Sequence, residues 1–135
     1  MSKAALKEST TVLPRLYIFH VDGKGNGVFS LDRVFEGELV EECVFLSVSR
    51  AEGELIDKFV PSLSSYQFAW NESDDTAAFG FAMGNGEVYN HSNKPNVRLE
   101  RDFAAKRMRF IALRDIVPHE ELTIDYGISL WFDER

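Results

Sequence analysis

The sequence predicts a mostly β fold with short helices, and three features support this prediction. Short segments rich in β-branched and aromatic residues recur along the chain. Turn-forming glycine, proline, asparagine and aspartate residues separate these segments about every ten residues. Helical spacing of apolar residues is clear only around residues 55–63, where Pro61 interrupts it.

Three strands are expected in the first 48 residues. Residues 12–19 are apolar and β-prone, and a flexible turn containing Gly23, Gly25 and Gly27 follows them. A second strand begins at Gly27, and a third covers residues 39–48.

Residues 50–87 differ from the rest of the chain because acidic residues concentrate there, and we interpret them as a variable insert. The insert is expected to carry a short helix, loops and an aromatic strand at residues 66–70 (YQFAW). After it, strands are expected at residues 97–99, 107–113 and 122–126, with turns at residues 102–106 and 117–120.

Length and composition indicate one globular domain. Apolar residues make up 44% of the 135 residues, and a chain of this length buries roughly two thirds of its unfolded surface. The 15 basic and 22 acidic residues give a net charge of −7. This balance argues against direct nucleic-acid binding, because phosphate affinity needs clustered Lys and Arg. A basic partner suits the charge better, although a charge of this size also serves solubility alone.

Two absences bear on the compartment. The sequence has no apolar run long enough for a membrane helix and no apolar stretch of signal-peptide type at its start. The lone Cys43 excludes an internal disulfide and a Cys-rich zinc cluster. We therefore expect a soluble intracellular protein, in the cytoplasm or in a host nucleus if the source is a virus or an intracellular bacterium, with no membrane partner.

The first motif is the glycine-rich segment at residues 22–29 (DGKGNGVF). A calcium loop is excluded, because Lys24 and Arg33 occupy positions that need oxygen ligands. Dinucleotide and phosphate loops are excluded, because the third small residue and the Gly-Lys-Ser/Thr sequence are missing. Two interpretations remain: an ordinary tight turn, and a hairpin whose backbone closely approaches a ligand.

The second motif is the loop at residues 90–96 (NHSNKPN). Asn93 and Asn96, on either side of Pro95, supply amide donors and acceptors in fixed geometry. His91 has no Cys pair or nearby second histidine in the sequence, so a structural histidine competes with a ligand-binding one.

The third motif is the strand at residues 120–127 (EELTIDYG). Leu122, Ile124 and Tyr126 share one face of this strand, because successive side chains alternate. The Tyr126 hydroxyl can therefore lie at the mouth of a pocket, or the ring can belong to the core.

Taken in order, the three motifs resemble those of the SET-domain protein-lysine methyltransferases. The matching segments are residues 24–30 (KGNGVFS), 89–96 (YNHSNKPN) and 121–126 (ELTIDY). The resemblance covers about residues 12–131, and the compact size is similar to that of stand-alone viral and microbial SET proteins. It implies a single SET domain over residues 1–135, without Cys-rich flanking segments. The implied fold has small β-sheets around a pseudoknot-like crossing, in which the Tyr126 segment passes through the loop after His91.

The resemblance also implies a binding site for S-adenosylmethionine, with no metal. The implied cofactor-binding residues are Lys24, Gly25, Asn26, Tyr66, Glu87, Val88, Asn90, His91 and Tyr126. Tyr66 and Tyr126 are the implied catalytic residues, with Tyr126 beside the sulfonium methyl group. Tyr66, Ile124 and Trp131 would line the substrate channel, and Trp131 and Phe132, or a second subunit in a homodimer, would close it.

The implied function is methyl transfer from S-adenosylmethionine to a lysine amine in a basic, histone-like protein tail. The acidic residues of the insert either help to attract that tail or only form a solvated loop. They are Glu52, Glu54, Asp57, Asp74 and Asp75. The alternative is a catalytically inactive SET-like module that binds a peptide or S-adenosylmethionine.

Overall fold

The computed structural model describes residues 12–125, so Tyr126, Trp131 and Phe132 lie outside the described residues. Within residues 12–125 there are nine strands and two short helices, which confirms the mostly β prediction. The elements in chain order are β1 (Leu16–Val21), β2 (Gly25–Ser30), β3 (Leu39–Val48), α1 (Arg50–Phe59), α2 (Pro61–Ser64), β4 (Phe68–Ala69), β5 (Phe79–Ala82), β6 (Asn90–His91), β7 (Val97–Asp102), β8 (Arg107–Ala112) and β9 (Glu121–Ile124).

The first sheet has the strand order β1-β2-β9-β6. β1 and β2 form an antiparallel hairpin, in which His20 pairs with Asn26 and Val21 pairs with Gly25. Gly23 and Gly25 have φ angles of 82° and 88°, which side-chain-bearing residues rarely adopt. The glycine-rich segment therefore forms a tight hairpin, which is compatible with both interpretations from the sequence. β2 of this hairpin also pairs with β9.

The second sheet has the order β4-β5-β3-β8-β7, and β3 lies at its centre. β3 spans the ten residues predicted from the sequence. Its side chains alternate, with Cys43 and Phe45 buried and Val44 and Leu46 exposed. Phe45 stacks on Trp70 with ring centroids 3.9 Å apart, and these rings anchor the insert to the core.

The insert contains more regular structure than expected. Ser49 and Glu52 form a capping box at the start of α1, and Pro61 begins α2 rather than only ending α1. Gly53 of α1 is buried against β5. A side chain does not fit at this position, because a Cβ there would lie only 2.5 Å from the ring of Phe79. Glycine thus lets α1 pack closely on the second sheet.

Several strand predictions need correction. β2 begins at Gly25 rather than at Gly27, β7 extends to Asp102 rather than ending at residue 99, and β9 is Glu121–Ile124 rather than residues 122–126. The first strand begins at Leu16, not at residue 12, because the ladder with β2 runs only from Leu16 to Val21. The aromatic strand at residues 66–70 is limited to Phe68–Ala69, the two residues that pair with β5. Tyr66 instead follows α2, where its N–H donates to the carbonyl of Leu63 at 3.0 Å.

The feature that positions the site is a parallel pairing of β6 with β9. Asn90 pairs with Thr123 and His91 with Ile124. The buried Asn96 strengthens this pairing, because its Oδ1 accepts from the N–H of Thr123 and its Nδ2 donates to the carbonyl of Glu121, both at 2.8 Å. The part of the predicted crossing that involves Tyr126 lies outside the described residues.

The two helices of the described region are short. Neither is long and apolar enough to cross a membrane.

Candidate functional site

A polar cluster forms where β2, β6 and β9 meet. The side-chain Nδ2 of Asn90 donates to Oε2 of Glu121 at 2.7 Å. The other carboxylate oxygen of Glu121 lies 3.6 Å from Nζ of Lys24. The Glu121 side chain is only 17% exposed, so these two partners compensate a largely buried charge.

Gly27 makes room for this cluster. A Cβ at position 27 would lie 2.5 Å from Oε2 of Glu121 and 3.1 Å from Nδ2 of Asn90. The glycine of the first motif is therefore needed because the side chains of the second and third motifs occupy the space beside it. Glu121 was absent from the predicted site residues, although it belongs to the third motif.

His91 lies at the edge of this cluster. Its Nε2 is 3.1 Å from Oδ1 of Asn93, and its Nδ1 is 3.8 Å from a carboxylate oxygen of Asp125. The side chain is 40% exposed, so the imidazole remains accessible to a ligand.

A cavity of about 220 Å³ is lined mainly by residues of the insert. It brings together Tyr66 and Glu87, two of the predicted cofactor-binding residues. The other lining residues were not predicted as site residues, although Tyr89 begins the matching segment at residues 89–96. The full lining is Ser65, Tyr66, Gln67, Phe68, Gly86, Glu87 and Tyr89.

The remaining predicted residues lie elsewhere. Val88 packs against the hydrophobic core, and its N–H donates to the carbonyl of Asn85 at 2.8 Å. Ile124 is fully buried in the same core and is not part of the cavity lining. Gly25 and Asn26 lie on β2, where Asn26 is exposed. Trp131 and Tyr126 lie outside the described residues.

Glu87 is an ionisable group of the cavity wall whose titration is changed by its surroundings. Burial raises the pKa of its carboxyl to about 7, against the opposing effect of a hydrogen bond from the N–H of Ala82. That bond is 2.8 Å long. Three residues further along the chain, Asn90 joins the polar cluster, so residues 87–90 connect the cavity with the cluster.

The raised pKa of Glu87 predicts a specific pH dependence of stability. Below pH 4.5, the ordinary value, the carboxyl is protonated in the folded and in the unfolded chain. Between pH 4.5 and about 7 the unfolded chain releases this proton first, so the free energy of unfolding falls as the pH rises. Glu87→Gln is expected to remove this decrease, which thermal unfolding at several pH values measures.

The control for this experiment is Glu54→Gln, which changes an exposed carboxylate on α1. It should leave the pH profile of the melting temperature parallel to that of the unchanged protein. A profile for Glu87→Gln that also stays parallel would contradict the assignment.

The residues present fit S-adenosylmethionine, which carries an ammonium, a carboxylate and an adenine. In the cavity wall, Oε1 of Gln67 is buried and has no hydrogen-bond partner among the described residues, so an acceptor is left for a ligand donor. The polar cluster offers an ammonium, an amide and a carboxylate from Lys24, Asn90 and Glu121. Across residues 12–125, no group of three or more His, Cys, Asp or Glu side chains is arranged to hold a metal ion.

Comparisons with known proteins agree with this geometry. The SET domain family model matches residues 25–127. A relative from Schizosaccharomyces pombe, named histone-lysine N-methyltransferase, H3 lysine-37 specific, is 33% identical over 120 residues. The aligned region covers 89% of this chain and 78% of the relative.

Solved structures show the same fold. A Plasmodium falciparum protein described as a candidate histone methyltransferase superposes with a TM-score of 0.65 and 26% identity, over 89% of this chain and 99% of that one. The SET domain protein DIM-5 of Neurospora, a histone lysine methyltransferase, superposes with a TM-score of 0.67 and 22% identity, over 84% of this chain and 52% of that one. Since the family model spans most of the sequence, including the second and third motifs and the first from Gly25 onward, the chain belongs to the SET-domain family of S-adenosylmethionine-dependent protein-lysine methyltransferases.

Proposed function

We propose that this enzyme methylates a lysine in a basic, histone-like protein tail and that the cavity and the polar cluster together form its active site. One observation carries the proposal: residues 87–90 place Glu87 in the cavity wall and Asn90 in the polar cluster. A ligand held by the cluster can therefore extend to the cavity, where Tyr66 lies half-exposed.

The polar cluster would hold the amino-acid end of the cofactor. Lys24 suits its carboxylate, and the Glu121 carboxylate and Asn90 amide suit its ammonium. Gly25 and Asn26 would contribute backbone contacts from the hairpin, and His91 would contact the adenine end. When bound, S-adenosylmethionine supplies an electrophilic methyl group on a positively charged sulfur.

The cavity would receive the lysine side chain. The amine must lose its proton to react, and its ordinary pKa is about 10.4. Apolar walls such as Phe68 and a nearby positive charge both disfavour the ammonium form. The hydroxyl of Tyr66 would orient the amine, and most of the acceleration would come from alignment of the reacting atoms. Tyr126 is proposed beside them on the strength of the third motif.

The acidic residues of the insert support a basic substrate, but most of them also stabilise local structure. Glu52 caps α1, Asp75 pairs with Arg50 at 2.8 Å, and the Asp57 carboxylate accepts from the hydroxyl of Ser64 at 2.7 Å. Asp74 accepts from the N–H of Thr76 at 2.9 Å. Their charges still contribute to a negative field over this face.

Histone H3 is the first substrate to test, because the S. pombe relative is named for lysine 37 of H3. A histone substrate would place the enzyme inside the cell, in the nucleus or the cytoplasm. A second subunit remains a candidate for closing the channel, and sedimentation of the purified chain would measure it.

The decisive experiment is mass spectrometry of histones and other basic proteins after incubation with the purified enzyme and S-adenosylmethionine. We expect the mass of one to three methyl groups on a lysine, and none when the cofactor is omitted. Cofactor binding without methylation of any substrate would favour the inactive binding module. Absence of cofactor binding would contradict the proposed site.

A further inference from the structure

A partly buried carboxylate, that of Glu41, lies beneath the segment that links the cavity with the polar cluster. Glu41 and Cys43 project from β3, where they face the turn at residues 84–86. Oε1 of Glu41 accepts from the hydroxyl of Tyr89 at 2.6 Å, and its Oε2 accepts from the N–H of Asn85 at 3.0 Å. One carboxylate thus binds both ends of residues 85–89.

The turn is shaped around this carboxylate. Gly84 has a φ of 66°, and a Cβ there would lie 2.8 Å from Oε2 of Glu41. A Cβ on Gly86 would lie 3.4 Å from Sγ of Cys43 and would collide with Ala82. The segment therefore lies directly on β3, with no room for side chains at either glycine.

The Tyr89 phenol stays protonated, so its hydrogen bond to Glu41 persists. Burial, followed by the charge of Glu41, raises the pKa of the Tyr89 phenol well above its usual range. Burial also raises the pKa of the Cys43 thiol to about 12. Both groups stay protonated near neutral pH, so Tyr89 remains a donor to the Glu41 carboxylate.

We infer that Glu41 is a positioning residue, which sets cofactor affinity by holding residues 85–89 at both ends. This inference rests on the proposed function. Glu87 lies between the two anchored ends and lines the cavity, and Asn90 follows directly. The ring of Tyr89 is held independently by stacking on Phe110, with centroids 4.3 Å apart. Loss of the hydroxyl should therefore loosen the segment without unfolding the core.

Tyr89→Phe and Glu41→Gln test the inference, and Glu42→Gln is the matched control. Glu42 is the next residue on β3 but faces outward, where it pairs with Arg109 at 2.6 Å. Calorimetric titration with S-adenosylmethionine and steady-state kinetics are the measurements. We expect Tyr89→Phe to raise the cofactor Kd and KM by about tenfold, since a hydrogen bond to a charged group is lost. In Glu41→Gln, whose altered side chain does not line the cavity, the kcat at saturating cofactor should change by less than about twofold.

The cofactor Kd of the double variant Glu41→Gln/Tyr89→Phe should be little higher than the higher of the two single-variant Kd values, because both changes affect the same hydrogen bond. Amide hydrogen exchange at Asn85 and Gly86 should accelerate in the cofactor-free variants but not in Glu42→Gln. Unchanged Kd and unchanged exchange in both single variants would overturn the inference. If the unchanged protein binds no cofactor, the proposed function fails, and the exchange rates still decide whether Glu41 holds the segment.

Discussion

Replacement of Asn96 with Leu is expected to produce the largest loss of stability among single changes at the site. Leucine has a similar size but no polar atoms, so the N–H of Thr123 and the carbonyl of Glu121 lose their partners. Asn96 is 2% exposed, so water cannot replace it. Each unpaired buried group costs about 1–3 kcal/mol, which gives a loss of about 2–6 kcal/mol in the free energy of unfolding.

Urea unfolding followed by circular dichroism measures this loss. Asn93→Leu is the matched control, because it makes the same change at an exposed position in the same loop. The control should shift the free energy of unfolding by less than about 1 kcal/mol. Equal effects of the two changes would show that the amide of Asn96 does not carry the β6–β9 pairing.

Replacement of Asn90 with Asp is expected to cause the largest loss of cofactor binding. The new carboxylate would lie at hydrogen-bond distance from Oε2 of Glu121, where the amide of Asn90 now donates. Two like charges at such a distance in a partly buried site repel by about 2–4 kcal/mol. We expect the cofactor Kd to rise by roughly a hundredfold at pH 8, because this repulsion separates the two side chains at positions 90 and 121 that would hold the cofactor's ammonium. Titration calorimetry measures the affinity, and thermal unfolding measures the stability.

A second change separates folding from binding at this position. In Asn90→Asp/Glu121→Gln, the donor and the acceptor exchange places, so the pair can form again. The melting temperature should recover, while cofactor binding and methyl transfer should stay weak. Recovery of methyl transfer along with stability would mean that Asn90 serves only as a partner of Glu121.

Local sequence patterns predicted the elements whose neighbours are close in the chain. The hairpin turn at Gly23 and Gly25 follows from glycine spacing, and the span of β3 follows from its ten β-prone residues. The short β6 strand could not be predicted in this way, because only its pairing with β9 makes residues 90 and 91 a strand. The same reason explains why β5 was missed inside the insert.

The site was predictable where a motif marks a residue and not where distant segments meet. Asn90 and Lys24 were predicted as site residues because they belong to motifs, and in the structure both contact Glu121. Gln67 and Phe68 could not be found, because their exposure to the cavity depends on where α2 ends relative to the turn at Gly86. Ile124 was expected in the substrate channel, but the face of β9 on which it lies packs into the core.

The parallel alignment of Asn90 with Thr123 also bears on how the molecule is assembled over time. The two residues are far apart in the chain, so their pairing closes a long loop. The entropy cost of closing this loop slows the formation of the pair during folding. During synthesis, all strands of the sheet centred on β3 leave the ribosome before β9 does, since β8 is the last of them in the chain. The ability to bind the cofactor should therefore appear in a single late folding step, in which β9 inserts between β2 and β6.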